Sequence, residues 1–161
     1  MVLFNPDAET VDIMLRISKL TDYAILLMVE LTREGEMLSA HALADRIHVE
    51  ITTAGKVLKQ LASAGLVESF RGASGGYRVK KSAGEISVAE VIAAIEGPIA
   101  MTECSAEPGL CQVEENCNLR GNWQRISVAV ARALQDVSLA EMSAPVPRKP
   151  NSLRIVTLSA G

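Results

Sequence analysis

The spacing of apolar and polar positions divides the chain into three helices, a hairpin, and a later run of helices. From Ser18, the stretch SKLTDYAILLMVELTREG places Leu20, Ala24, Leu27, Met28 and Leu31 at helical intervals, and Gly35 marks its end. The next segment, SAHALADRI, predicts a short helix capped by Ser39, with Leu43 and Ile47 turned inward. A third helix, in TTAGKVLKQLASAG, buries Val57, Leu58 and Leu61 and stops at Gly65. LVESF and GYRVK then read as two strands joined by the turn RGASG. Helix, short helix, helix and hairpin is the order of a winged helix-turn-helix. The expected fold is therefore mainly α with a small β wing.

The second half opens at SVAEVIAAIEG, where Ser87 and Glu90 form a capping box and Gly97-Pro98 ends the helix. The segment that follows carries Pro108 and Gly109 and reads as a loop. Leu119, Trp123, Ile126, Val130, Leu134 and Val137 then recur at intervals of three and four, an apolar stripe that needs a surface to bury it. The expectation is a long helix that pairs with its copy in a second subunit; packing back onto its own domain is the alternative. SLAEM adds a helical turn at Ser138, and APVPRKPN is a proline-rich tail. The expected organisation is an extension over 1–13 (with Met14 as a possible second start), a winged helix-turn-helix over 14–82, and a connecting helix over 83–103. A cysteine loop over 104–117, a dimerisation helix over 118–143 and a flexible tail over 144–161 complete it.

Composition narrows the class. Of 161 residues, 48% are hydrophobic and only 3% aromatic, so the core is built from Leu, Val, Ile and Ala, which suits helices. No apolar run approaches the roughly 18 residues of a membrane span, and the first residues lack the pattern of a secretory signal. Three cysteines, an odd number, argue against a disulfide framework and for a reducing, cytoplasmic setting. The net charge of -3 hides a division: residues 15–81 hold ten Lys/Arg against seven Asp/Glu, whereas residues 82–142 hold three against nine. A basic front half points to a polyanionic partner, and the order of helices and wing makes double-stranded DNA the expected one.

In a helix-turn-helix the second helix of the pair enters the major groove and presents polar side chains to base edges. Thr52, Thr53 and Lys56 occupy the start of the third helix, and Lys59 follows one turn on. Threonine hydroxyls read bases or phosphates, and their methyls meet a thymine methyl. The wing, RGASGGYRVKK, packs Arg71, Arg78, Lys80 and Lys81 around three glycines, so a narrow basic tip can approach the minor groove. Ser18 and Lys19 at the start of the first helix, with Arg71, Gly75, Gly76 and Tyr77 of the wing, complete the expected DNA-contacting set. The plain alternative for each is a solvated surface.

All three cysteines, Cys104, Cys111 and Cys117, lie within CSAEPGLCQVEENC. Thiolates bind zinc or the iron of a cluster. Structural zinc sites pair cysteines with two to four intervening residues, whereas here six and five residues intervene. These wider arcs suit a multi-atom cluster; a zinc-stabilised module and three unligated thiols remain as alternatives. No Gly-rich nucleotide loop and no nucleophile–base pair accompanies the cysteines, which argues against a redox or hydrolytic enzyme.

In order along the chain, SKLTDYAILLMVEL, LASAGLVESFRGASGGY, SVAEVIAAIEGP and CSAEPGLCQVEENC followed by a tryptophan resemble the Rrf2 family of winged-helix regulators, from about Met14 to Met142. That family includes iron–sulfur-cluster and nitric-oxide-sensitive regulators, and the resemblance is nearest to the branch that governs the SUF cluster-assembly operon. It implies a homodimeric repressor of a palindromic operator, with Cys104, Cys111 and Cys117 holding a [2Fe–2S] or [4Fe–4S] cluster. Where the iron–sulfur-cluster regulator has a ligand histidine three residues after the last cysteine, this chain has Arg120, which cannot ligate. The nitric-oxide-sensitive branch uses an aspartate of the first helix, matched here by Asp22. The ordinary reading of Asp22 is an acid favoured by the helix dipole, and Glu103, Glu107, Glu114, Glu115 or a small molecule are the other candidates. His41 and His48 lie in the DNA-binding half, as helix-surface or turn residues.

Overall fold

Helices begin where the sequence supplies caps. In the computed structural model, which describes residues 17–72 and 74–145, α1 (Lys19–Glu34) starts at Ser18, whose Oγ accepts the Thr21 N–H at 3.2 Å. It ends at Gly35 in the left-handed conformation, φ 67°. α2 (Ala40–Arg46) is capped in the same way by Ser39, which accepts the Ala42 N–H at 3.1 Å. α3 (Ile51–Ser63) follows a turn through His48, whose φ of 55° is a conformation that histidine enters more readily than branched residues do.

The wing is the antiparallel pair β1 (Val67–Phe70) and β2 (Gly76–Val79), with Glu68 opposite Arg78 and Ser69 opposite Tyr77. β2 is held on its other side too: the Tyr77 N–H donates to the Leu38 carbonyl at 2.8 Å, and the Leu38 N–H donates back at 3.0 Å. This approach explains Gly76, because a Cβ there would sit 2.5 Å from the Leu38 carbonyl oxygen. The α1–α2 link thus fastens the wing to the helices.

One apolar core runs through both halves. Leu27, Met28 and Leu31 of α1, Leu43 of α2, and Val57, Leu58 and Leu61 of α3 are fully buried together with Ile86, Val91 of α4 (Val88–Glu96) and Leu139 of α7 (Leu139–Ser143). Residues 17–144 form a single compact unit. Backbone bonds close the junction: Val88 N–H to the Val137 carbonyl, 2.8 Å, and Leu139 N–H to the Ile86 carbonyl, 2.9 Å. Capping boxes Ser87–Glu90 and Ser138–Glu141 start the two helices there. In each the serine N–H is the main influence holding the glutamate below the ordinary carboxylate range.

A second polar contact joins α4 to α1. Glu96, the last residue of α4, accepts the Thr21 hydroxyl at 2.5 Å and the Ser18 N–H at 3.1 Å through one oxygen. Thr21 is completely buried. Its hydroxyl is the main cause of the lowered pKa of Glu96; partial burial opposes it, and the Ser18 N–H assists.

The cysteine segment is more ordered than a loop. Thr102 initiates a single helical turn, α5 (Glu103–Ala106), which carries Cys104, before Pro108 and Gly109 break it. A second short turn spans Glu114–Asn116. α6 (Arg120–Gln135) carries the apolar stripe, and its two ends behave differently. Leu134 and the following Val137 pack against the core, whereas Leu119, Trp123 and Ile126 are exposed. Among the described residues no helix is long and apolar enough to cross a membrane. The expected extension over 1–13 and the proline-rich tail beyond Pro145 lie outside the described residues.

Two substitutions test this arrangement. Gly76→Ala forces the wing off the Leu38 backbone and is expected to destabilise the protein by about 1–3 kcal/mol in urea unfolding; a neutral result would remove the close approach. Because folding lowers the pKa of Glu96, its contribution is complete above the ordinary value of 4.5 and is lost as the pH falls through the lower folded value. Thermal midpoints of Glu96→Gln should therefore decline less steeply than those of the natural protein below about pH 4.5. Parallel curves would show that the contact contributes nothing.

Candidate metal centre and nucleic-acid interface

The first turns of α3 present one polar face. Thr52, Lys56 and Lys59 are exposed and lie at positions i, i+4 and i+7, on the side opposite the buried Ala54, Val57, Leu58 and Leu61; Thr53 is half-buried beside them. Glu50 precedes the helix without a side-chain capping bond. The face therefore has the composition a groove-reading helix needs: short hydroxyls at the N-terminal end and ammonium groups one and two turns on.

In the wing the expected cations separate into two groups. Arg78 is occupied: it pairs with Glu68 at 3.1 Å and its guanidinium lies 5.2 Å from the centre of the Phe70 ring. Lys81 pairs with Glu90 at 3.2 Å. Arg71 lies at the exposed tip beside Gly72, and Lys80 is exposed; neither has an ion-pair partner among the described residues. Gly75 and Gly76 serve the wing itself, since a Cβ on Gly75 would fall onto the Phe70 carbonyl oxygen. The Tyr77 backbone is committed to Leu38 and its side chain packs against the core. Ser18 spends its hydroxyl on the α1 cap, while Lys19 beside it is exposed. Of the residues expected at the interface, Thr52, Lys56, Lys59, Arg71 and Lys19 are exposed, whereas Gly75, Gly76 and the Tyr77 backbone also have structural roles in the wing.

The three thiols are free. Cys104 is buried, 5% exposed, while Cys111 and Cys117 are half-buried. Cys104 is anchored by hydroxyls. Its Sγ lies 3.4 Å from the Thr102 Oγ1, and Ser105, one residue on, meets Ser127 of α6 hydroxyl to hydroxyl at 3.0 Å. Ser127, only 4% exposed, also accepts the Met101 N–H at 3.0 Å. The turn that carries the first cysteine is therefore tied directly to α6. Ser127 is not singled out by the sequence because a serine one step off an apolar stripe looks like a solvated position; its small size beside Ile126 is the available signal.

No three Cys, His, Asp or Glu side chains are gathered at metal-holding distance among the described residues. Asp22 is exposed on the first turn of α1, His41 faces Asp45 at 3.6 Å on the surface of α2, and His48 occupies the turn after it. Arg120 stands in the first turn of α6 and pairs with Glu114 at 2.8 Å. By chemistry the donors suit a thiophilic metal, iron or zinc: three cysteines on one short segment supply three soft ligands, and residue 120 is not a fourth. A metal that binds such a segment gathers ligands not assembled beforehand.

Comparison with known proteins agrees with this geometry. The sequence profile of the family described as "Rrf2: Iron-dependent Transcriptional regulator" matches residues 17–145. A protein of Xenorhabdus nematophila named HTH-type transcriptional regulator IscR is 30% identical over 131 residues, 80% of this chain and 79% of its own length. The structure of CymR (YrzC), described as the global cysteine regulator of B. subtilis, superposes with a TM-score of 0.63 at 28% identity, covering 81% of this chain and 97% of that one. T. potens IscR superposes with a TM-score of 0.59 at 24% identity, over 80% of this chain and 86% of its own, a likeness of fold. With a winged helix, a polar-faced third helix and a basic wing tip in place, the chain belongs to the Rrf2 family: it is a DNA-binding transcriptional regulator and not an enzyme.

Proposed function

We propose that this regulator is a cytoplasmic homodimer whose Cys104, Cys111 and Cys117 hold an iron–sulfur cluster, and that occupancy of this site sets its affinity for a palindromic operator. The observation that carries the reading is the attachment of the cysteine segment: three free thiols within fourteen residues, with the Cys104 turn hydrogen-bonded through Ser105 to Ser127 of α6. The exposed Leu119, Trp123 and Ile126 on that helix supply the apolar face for a second copy. When bound, the cluster supplies an inorganic centre that oxidants or nitric oxide can damage. An oxygen ligand in the fourth position, from Asp22 of either subunit or from a small molecule, would make it labile.

The chain's own residues then define the response. A change in the cysteine segment is felt by α6, through the Ser105–Ser127 and Glu114–Arg120 contacts, and along the chain by α4, which ends at Glu96 shortly before α5. Glu96 holds the buried Thr21 hydroxyl and the Ser18 N–H, so movement of the α4 end shifts the start of α1, next to Lys19. Half-sites on DNA lie about 34–36 Å apart or at multiples of that spacing, so a small change in the separation of two α3 helices alters affinity. Regulation is then the difference in operator affinity between the two states of the site. By resemblance, the regulated target is a SUF-type cluster-assembly operon, repressed when clusters are plentiful. The similar CymR of B. subtilis is described as a global cysteine regulator, which supports as a second reading a regulon of sulfur supply.

Anaerobic purification followed by iron and sulfide analysis and a visible spectrum separates the readings. The cluster reading requires both elements and an absorption band near about 400 nm, from sulfur-to-iron charge transfer. Colourless protein with stoichiometric zinc would replace it with a structural module. Cys111→Ala should lose the colour yet remain a folded dimer, because Cys111 lies outside the core. Arg71→Ala should weaken operator binding across sequences and reduce the salt slope by about one. Unchanged affinity would remove the wing tip from the interface.

A further inference from the structure

Glu114 occupies the centre of the segment between the second and third cysteines, and all of its polar groups face that segment or α6. Its N–H donates to the Cys111 carbonyl at 3.2 Å, and its carbonyl accepts the Cys117 N–H at 3.3 Å. One carboxylate oxygen accepts the Gly109 N–H at 2.7 Å, and the other meets the Arg120 guanidinium at 2.8 Å. The side chain is only 11% exposed, so both interactions are shielded from water more than those of an ordinary surface pair. One residue therefore links the backbones of two cysteines and the glycine turn before them to the first turn of α6.

The charges of the segment explain the cation. From Ser82 to Leu119 the sequence holds no Lys or Arg, while Glu107, Glu114 and Glu115 accompany the three cysteines. Binding a metal adds thiolate charge to this acidic stretch, and Arg120 is the first cation that can offset it. The Nε of Arg120 is buried without a partner, so its guanidinium has donor capacity beyond Glu114.

We infer that Glu114 and Arg120 are positioning residues of the cysteine site: the pair sets the spacing of Cys111 and Cys117, and the unpartnered Nε–H of Arg120 leaves a donor for the charge that the segment gains on binding a metal. Arg120 thereby serves the site through Glu114, and the fourth ligand comes from elsewhere. The inference rests on Cys104, Cys111 and Cys117 being metal ligands, but not on the metal being iron.

The test titrates full-length, metal-free protein with Cd²⁺ and follows the ultraviolet thiolate-to-metal absorption, whose intensity per bound ion counts the sulfur ligands. Glu114→Ala and Arg120→Gln are expected to weaken Cd²⁺ binding about 10–100-fold, in line with the loss of supporting contacts at metal sites, and to lower the absorption per ion. Arg120→Lys, which keeps the charge, should remain near the natural protein, and the double variant should be no worse than the poorer single one. Thermal midpoints of the metal-free proteins should stay together, because both residues lie outside the core. Equal affinity and equal absorption in all variants would overturn the inference, as would natural protein that binds no Cd²⁺ through its thiols. Iron and sulfide measured on parallel reconstituted samples address the cluster separately. Natural protein that takes Cd²⁺ through three thiolates but retains no iron would end the cluster reading, while the variants still decide the role of the pair.

Discussion

The burial of one face of α1 organises everything else. Ala24, Leu27, Met28 and Leu31 are wholly enclosed, and α2, α3, α4, α7 and β2 all pack against this helix. Replacing such a leucine with alanine costs about 2–5 kcal/mol, a large share of the stability of a domain this size. α1 also carries at its N-terminus the residues that meet Glu96. The same helix thus holds the fold together and packs both on α3 and β2 of the candidate interface and on α4, which leads into the cysteine segment.

That arrangement gives the regulator its physical logic. The α3 face and the wing tip are fixed to the core by apolar burial and, for the wing, by the double backbone bond between Tyr77 and Leu38. The cysteine segment is attached by polar contacts instead: Ser105 to Ser127 at one end, Gly109 to Glu114 to Arg120 at the other. Apolar packing resists small displacements, whereas a handful of hydrogen bonds can exchange partners at little net cost. A segment held in the second way is suited to respond to a ligand, and elements held in the first way are suited to transmit the response as a unit.

The candidate site was legible in the sequence where chemistry alone identifies a residue. Clustered cysteines can be read without coordinates, and so can hydroxyls and lysines at the start of a third helix. The sequence does not say which cations are already taken: Arg78 and Arg71 look alike in RGASGGYRVKK, yet Glu68 and Phe70 occupy one and leave the other at the tip. Likewise Glu114 and Glu107 are both acids of the cysteine stretch, and only the fold shows Glu114 facing Arg120.

Apolar spacing, serine caps and glycine stops determined the order of elements, because these are local interactions between residues a turn or less apart. That is why the ends of α1 at Ser18 and Gly35, the capping box at Ser87, and the strands around RGASG were readable in advance. Tertiary structure alone decided the contacts between residues far apart in sequence. It paired Glu96 with Thr21, set Leu38 against Gly76, and divided the α6 stripe between a buried end at Leu134 and an open face at Trp123. Those outcomes depend on where whole helices come to rest, which is settled by the summed burial of many side chains and leaves no mark in any one stretch of residues.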